Sequence, residues 1–540
     1  MTIDLRELRG LLIDDVAEMR TTVRIQLADA GLERCDTARN VKEAVERLGA
    51  NRYDLVICDY NLGQGADGQQ LLELVRRRQL LPPTTAFLMI TGETSYEQVS
   101  TAAEYAPDDY LIKPFTSGTL HTRLERILEK KEALRPVYQH MGERGDRAKA
   151  LATCDALLAQ PSRYSLDVLR LKGDLLLQTR RQDEALALYE GVLRQRATPW
   201  AEVGRARALA AAGREDRARE HLNAALAAYP NYLAAYDSLA GLLKKTDAAA
   251  AQQVVEQALK VAPSTRRQRS LGALALDNRD FSRAEEAFRR AVEKDRTGFF
   301  KSHDDYAGLA KSCVEQGKTQ EALSVVKEMG DHFSRTPELA ARQAAVESLV
   351  HSRAGDSAAA KAALDRALAV QQEAGLDPTT ALEIAQACFA DGRNDEARRI
   401  IQAVAEEHYE DDTVFAQAQS VFAAAGLKEE GAIFLEVTKK RMIKLNNDAV
   451  ALAKAGQLEQ AITMLQEAAD RLTSNCQVSL NAAIALLMHI HKRGPDADRL
   501  AQAHRYISQA IVANRDHAKL PEAVALYRKV APEGAPVLDI

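Results

Sequence analysis

Four alanines stand 33 residues apart: Ala185, Ala218, Ala251 and Ala284. Tyr189, Leu222, Val255 and Phe288 keep that interval four residues on, and Val192, Ala225, Ala258 and Ala291 keep it three residues later. Three columns in register over four units constrain the fold more than any other feature of the chain. Positions i, i+4 and i+7 lie on one face of a helix. Each unit therefore contains a helix whose stripe lets a second helix approach at alanine and fills the remaining gap with a larger side chain. Pro230 and Pro263 close two of the units, since proline cannot continue a helix. Within SLGALAL (270–276), Gly272 is expected to permit close backbone approach between paired helices. A period of this size means stacked helix pairs, each burying its apolar face on its neighbours.

The rhythm persists more loosely in GKTQEALSVV (317–326), GDSAAAKAAL (355–364), GRNDEARRII (392–401) and GQLEQAITML (456–465), each a glycine turn followed by a helix. From about residue 131 onward no strand pattern interrupts it. Within VLRLKGDLLLQTRRQDEALALYEGVL (168–193), Gly173, Ala185 and Tyr189 form a small–small–aromatic pattern. Gly213, Ala218, Leu222, Ala225 and Pro230 continue it. This region resembles the tetratricopeptide repeat family, although the family's early tryptophan is mostly replaced and several units depart from the usual length. The resemblance implies an all-α TPR superhelix over residues 131–540, of roughly ten units. Trp200, the sole tryptophan, is expected to be a packing residue.

A chain of 540 residues exceeds one core, at about 150 residues per domain. Its 46% apolar and 28% charged residues exclude a disordered polymer, and only 5% aromatics fits helix packing through small side chains. A formal net charge of −5 offers no overall basic excess for nucleic acid. No stretch approaches the roughly 18 continuous apolar residues of a membrane helix, and MTIDLRELRG lacks a signal-peptide core. A cytoplasmic location without membrane insertion is expected. The six cysteines form no C-x-x-C pair and are expected to be buried, reduced thiols. His489 and His491, two apart on an expected helix, point in different directions and make a poor metal pair.

Residues 1–130 follow a different rhythm. GLLID (10–14), ERCDTA (33–38), DLVICD (54–59), TAFLMIT (85–91) and DYLIK (109–113) read as strands. Helical segments follow each: 17–31, 41–49, about Gln69 to Gln79, about Ser95 to Ala106, and from about Thr116. Strict alternation of five strands and five helices predicts a parallel sheet wrapped on both faces. Ligands of such sheets bind beyond the carboxyl ends of the strands. There stand Asp14 and Asp15 after the first strand, Asp59 at the end of the third, Thr91 at the end of the fourth and Lys113 at the end of the fifth. Each alone is an ordinary turn or cap residue; their joint placement at four strand ends is what points to chemistry.

Neighbouring carboxylates repel unless something neutralises them. Mg²⁺ does so with oxygen ligands, and Asp15, Asp59 and the backbone carbonyl of Asn61 can supply them. A carboxylate at that edge can attack an activated phosphoryl group in line, chemistry that rests on positioning and charge stabilisation. Lys113 brings a compact cation for a phosphoryl oxygen, Thr91 a hydroxyl donor, and Gly92 room for the group to enter. Residues 9–130 resemble a response-regulator receiver domain, the aspartate-phosphorylated half of bacterial two-component signalling. The resemblance implies a flavodoxin-like, doubly wound five-stranded sheet of order 2-1-3-4-5 and a cis Lys113–Pro114 bond. It makes Asp14 and Asp15 the acidic metal pair, Asp59 the phosphoacceptor, Thr91 the switch hydroxyl, Tyr110 the switch aromatic and Lys113 the invariant lysine. The loop NLGQGADG (61–68) departs from the family by lacking its usual proline and by about one residue of extra length.

A receiver at 1–130 followed by repeats at 131–540 implies a phosphorylation-controlled adaptor. A histidine kinase or phosphotransfer protein would donate to Asp59, and the array would bind protein partners. No P-loop, zinc spacing or recognition helix follows the receiver, so no enzyme activity is expected beyond self-phosphorylation and autodephosphorylation. Two alternatives stay open: a competitor or phosphate sink acting on another regulator, and a constitutive scaffold. Oligomeric state is open too, with a homodimer among the options.

Overall fold

The computed structural model describes residues 5–63, 66–92, 107–141, 145–160, 162–244, 246–296, 301–373, 376–515, 517–532, 535–536 and 538. The chain divides into two compact units, Met1–Ser312 and Cys313–Ile540.

The first unit opens with a parallel sheet. β1 (Arg9–Ile13), β2 (Arg34–Ala38), β3 (Leu55–Asp59), β4 (Ala86–Thr91) and β5 (Asp109–Ile112) stand in the order β2-β1-β3-β4-β5. Between them run α1 (Ala17–Asp29), α2 (Val41–Ala50) and α3 (Gly68–Arg77). The helix expected from Ser95 to Ala106 lies outside the described residues. All five residues of β3 are buried, which is why Leu55–Cys58 is apolar throughout: a central parallel strand is covered on both faces. Val56 and Cys58 join Leu11, Ile13, Phe87 and Met89 in a core with α2 and α3. Leu55 and Ile57 face the other way, with Leu12, Leu88, Ile90 and the apolar side of α1. The polar ends are set locally. Asn40 caps α2 by accepting the Glu43 N–H at 3.0 Å. Asp67 and Gln70 form a reciprocal capping box at the start of α3.

A long helix, α4 (Ser117–Tyr138), follows β5. Its first half packs Leu120, Leu124, Ile127 and Leu128 under the sheet. Its second half buries Leu134 and Val137 among Ala150, Leu151 and Cys154 of the first repeat helix, α5 (Arg147–Leu158). The division expected at residue 130 thus falls inside one continuous helix. Between the halves lies buried Lys131, whose Nζ is 2.9 Å from Asp108 Oδ1 and donates to the Pro83 carbonyl at 2.8 Å.

Helix pairs then repeat: α6 (Ser165–Gln178) with α7 (Gln182–Gln195), α8 (Pro199–Ala211) with α9 (Glu215–Ala228), α10 (Leu233–Leu243) with α11 (Ala248–Val261), and α12 (Thr265–Asp277) with α13 (Phe281–Asp295). All twelve residues of the three columns are buried. Gly272 does not bring two backbones together as expected; it makes room for the aromatic ring of the paired helix. A Cβ there would lie 2.7 Å from the Phe288 ring, and Gly308 of the next helix touches the same ring from the other side. Gly173 and Gly204 sandwich Tyr189 in the same manner. The Trp200 ring packs edge-on against Tyr189 at 6.1 Å between centroids. The second unit is also built of helices, from Thr319–His332 to Leu520–Val530. Among the described residues no helix is long and apolar enough to cross a membrane.

Gly213 turns between α8 and α9 with φ +73°, and Arg180 and Arg279, at the same place in their periods, adopt φ +57° and +60°. A left-handed backbone costs a side-chain-bearing residue about 1–2 kcal/mol, part of which glycine gives back as unfolded-state entropy. Arg279→Gly is therefore expected to stabilise the array by about 0.5–1 kcal/mol, read as a higher urea midpoint.

Candidate functional site

The parallel register brings the strand ends to one edge. Ile13 pairs with Cys58, Asp59 with Ile90 and Thr91 with Ile112. Asp14 and Lys113 each follow directly on a strand, so Asp14, Asp59 and Lys113 meet. Lys113 Nζ lies 2.9 Å from Asp59 Oδ2 and 3.3 Å from Asp14 Oδ2. Both carboxylates are buried, whereas Asp15 beside them is exposed. Oxygens of Asp14, Asp15 and Asp59 all lie within 4.8 Å of one another. The Asp14 side chain also accepts the Val16 N–H at 2.9 Å, and Arg20 donates to the Asp14 carbonyl at 2.6 Å. These bonds hold the acidic turn from below.

Burial raises the Asp59 carboxyl above the ordinary carboxylate range. Its hydrogen bond and charge attraction to Lys113 pull it down, while the Asp14 charge pushes it up again. Burial alone would lower Lys113, but the bond to Asp59 and the two carboxylate charges outweigh it, and the ammonium is held more tightly than in water. The pair is one cation between two acids, with electrostatics left unbalanced toward negative. The edge is built to receive further positive charge, and its three carboxylates are the oxygen donors a hard cation takes.

Residues 11–125 match the family described as the response regulator receiver domain. Residues 142–199, 241–299, 270–329 and 346–412 match the tetratricopeptide repeat. The chemotaxis protein CheY-3 of Vibrio cholerae is 33% identical over 125 residues, which are 23% of this chain and 95% of that relative. The chain belongs to the response-regulator family. The Pseudomonas aeruginosa chemotaxis protein CheY is 31% identical to this response regulator over 120 residues, 22% of the chain and 95% of the relative. Among solved structures, that of Vibrio cholerae chemotaxis protein CheY4 is 31% identical and covers 22% of the response regulator and 98% of its own chain, with a TM-score of 0.21. The receiver of this response regulator is followed by tetratricopeptide repeats.

Thr91 and Asn61 lie at the same edge of the receiver, whereas Tyr110 stands within β5, paired with Met89. Thr91 is buried, and its carbonyl accepts the Lys113 N–H at 2.7 Å. The Lys113–Pro114 bond is cis. Tyr110 packs partly buried against the α2/α3 core, and its hydroxyl is buried without a hydrogen-bond partner among the described residues. Asn61 is exposed and turns its side chain back to accept the Gly63 N–H at 3.2 Å.

Two contributors escaped the sequence reading. Arg20 sits a helical turn into α1, with nothing in its position to announce a bond to Asp14. Gly68, the first residue of α3, lies against the Asp59 backbone: a Cβ there would stand 2.2 Å from the Asp59 carbonyl oxygen. Its N–H donates to the Tyr60 carbonyl at 2.9 Å and closes the loop. Backbone cannot swing aside as a side chain can. Gly68→Ala is expected to destabilise the receiver by about 1–3 kcal/mol, seen as a lower urea midpoint.

Proposed function

We propose that Asp59 accepts a phosphoryl group from a histidine kinase or phosphotransfer protein, and that the repeat array binds protein partners under its control. The observation that carries this reading is the Lys113-bridged pair of buried carboxylates at the strand ends of a receiver. An Asp59 oxygen bonds to phosphorus as the donor's P–N bond breaks, and the electron pair leaves with the donor imidazole, which takes up a proton. Lys113 holds a phosphoryl oxygen and the Thr91 hydroxyl donates to another, so the work is positioning and charge stabilisation. Asp14, Asp15 and Asp59, with the Asn61 carbonyl, suit Mg²⁺; when bound, the ion would neutralise the carboxylates and steady phosphoryl charge.

Thr91 then closes on the new charge, Tyr110 turns inward, and β5 and α4 shift with them, a local electrostatic change biasing a two-state element. Helix α4 belongs to both cores, which supports transmission from receiver to array. On this reading the chain is a cytoplasmic regulator, an adaptor without a separate substrate. Capture of partners on full-length protein, with and without beryllofluoride and Mg²⁺, tests it. At least one partner is expected to differ tenfold or more between the two states. Equal capture in both contradicts the switch.

A further inference from the structure

The helix Lys428–Lys454, 27 residues long, turns one side inward and leaves the other bare. Gly431, Leu435, Thr438, Met442 and Ala449 are buried on the inner side. Leu435 joins the core of the helices before it, and Met442 and Ala449 join that of the helices after it. On the outer side Ile433, Val437 and Ile443 are 65%, 59% and 42% exposed. Among the described residues no other helix exposes more than one large apolar side chain. One such residue is ordinary, but a row of them on one helix points to a partner.

Ile433, Val437 and Lys440 follow one another by steps of four and three, and Ile443 and Lys444 continue the row one turn on. Charges are sorted along the helix: Glu429, Glu430 and Glu436 stand before Val437, and Lys439, Lys440, Arg441 and Lys444 after it. Glu430, Lys439 and Arg441 are committed to Arg398, Asp412 and Glu406 of neighbouring helices. Glu436 and Lys440 stay in the row itself, paired with each other at 2.7 Å and both mostly exposed. An ion pair so exposed holds its members weakly, so both are free to take other partners. Lysine can also lay its apolar stem along a neighbouring side chain.

We propose that the exposed face of the helix Lys428–Lys454 is a self-association surface, on which two copies of this chain pair through antiparallel helices. With a two-fold axis level with Thr438, Ile433 of each copy covers Ile443 of the other. The two Val437 side chains meet beside the axis, and Glu436 of each copy faces Lys440 of the other. Parallel pairing would instead set Glu436 against Glu436 and Lys440 against Lys440, like charges that repel. The sorted charges therefore select a second, reversed copy as the occupant. A two-fold contact uses the same patch on both copies, so assembly stops at a dimer. One helix pair is a small interface, and a weak, concentration-dependent dimer of micromolar order is expected. The proposal goes beyond control of the array by Asp59 and does not depend on it.

Sedimentation velocity of the full-length protein over a concentration series, without phosphodonor, tests it. The wild type is expected to pass from monomer to dimer. Glu436→Lys and Lys440→Glu each set like charges across the axis, and each should weaken association about tenfold or more. An equimolar mixture of the two variants restores opposite charges at both contacts and should regain the wild-type dimer. Val437→Asp, which brings two carboxylates together at the axis, should weaken association as well and serves if either reversal does not fold. A wild type that stays monomeric throughout would overturn the proposal and leave the face to a different protein. Association unchanged in all three variants would overturn it too, by placing the contact elsewhere in the chain. So would a mixture of folded variants that stays monomeric.

Discussion

Asp59→Asn is expected to abolish phosphoryl labelling from acetyl phosphate, a loss on the order of a hundredfold or more because the nucleophile itself is gone. Lys113→Ala keeps the nucleophile but removes the only cation that touches both carboxylates among the described residues; a loss of about 10²–10³ in labelling rate is expected. The same asparagine should make the receiver more stable. Folded Asp59 binds its proton more tightly than the unfolded chain does, because burial and Asp14 outweigh Lys113. Stability therefore falls as pH rises from the ordinary carboxylate value through the raised folded value, and the penalty is complete at neutral pH. Asp59→Asn removes that penalty, so its melting temperature at pH 7 without Mg²⁺ should exceed that of the wild type. Added Mg²⁺ should raise the wild-type melting temperature more than that of the variant. A variant that melts lower than the wild type, or gains as much from Mg²⁺, would count against the arrangement of charges at this edge.

Two alanines inserted between Lys131 and Leu134 are expected to separate receiver from array. Two residues rotate the rest of a helix by about 200°, which turns Leu134 and Val137 away from the core they share with Ala150, Leu151 and Cys154. Exposing two such side chains costs about 1.5–3 kcal/mol each, so the first repeats should unfold at distinctly lower urea. The receiver half, held by Leu120, Leu124, Ile127 and Leu128, should keep its labelling rate. Partner binding should stop responding to phosphorylation. Retained response in the insertion variant would mean that the signal travels by another route.

The contrast between what the chain announces and what it conceals is visible in that helix. Leu55–Cys58 could be read as a central strand because all four positions are apolar, as a strand covered on both faces requires. The alanine and aromatic columns could be read because their period repeats. The expected boundary at 130 rested on the end of the strand patterns at about residue 131, a point that lies inside the helix Ser117–Tyr138. There Lys131 is buried: its ammonium is spent on Asp108 and the Pro83 carbonyl, partners 23 and 48 residues away in sequence. Periodicity cannot foresee a charge satisfied by distant partners. Gly68 was hidden for a similar reason, since its necessity lies in the Asp59 carbonyl against it. Asp14, Asp59 and Lys113 were legible because strand ends of a parallel sheet converge by topology alone. The hydrogen bonding of Asp14 to Arg20 and Val16 was not.

Hydrogen exchange of the full-length chain, with and without acetyl phosphate and Mg²⁺, tests the central claim most directly, with Asp59→Asn as the control. The account predicts that phosphorylation alters exchange in the second half of α4 and in α5, residues 129–158, and that the control shows no such change. A change confined to residues 9–128, with 129–158 exchanging identically in both states, would contradict it.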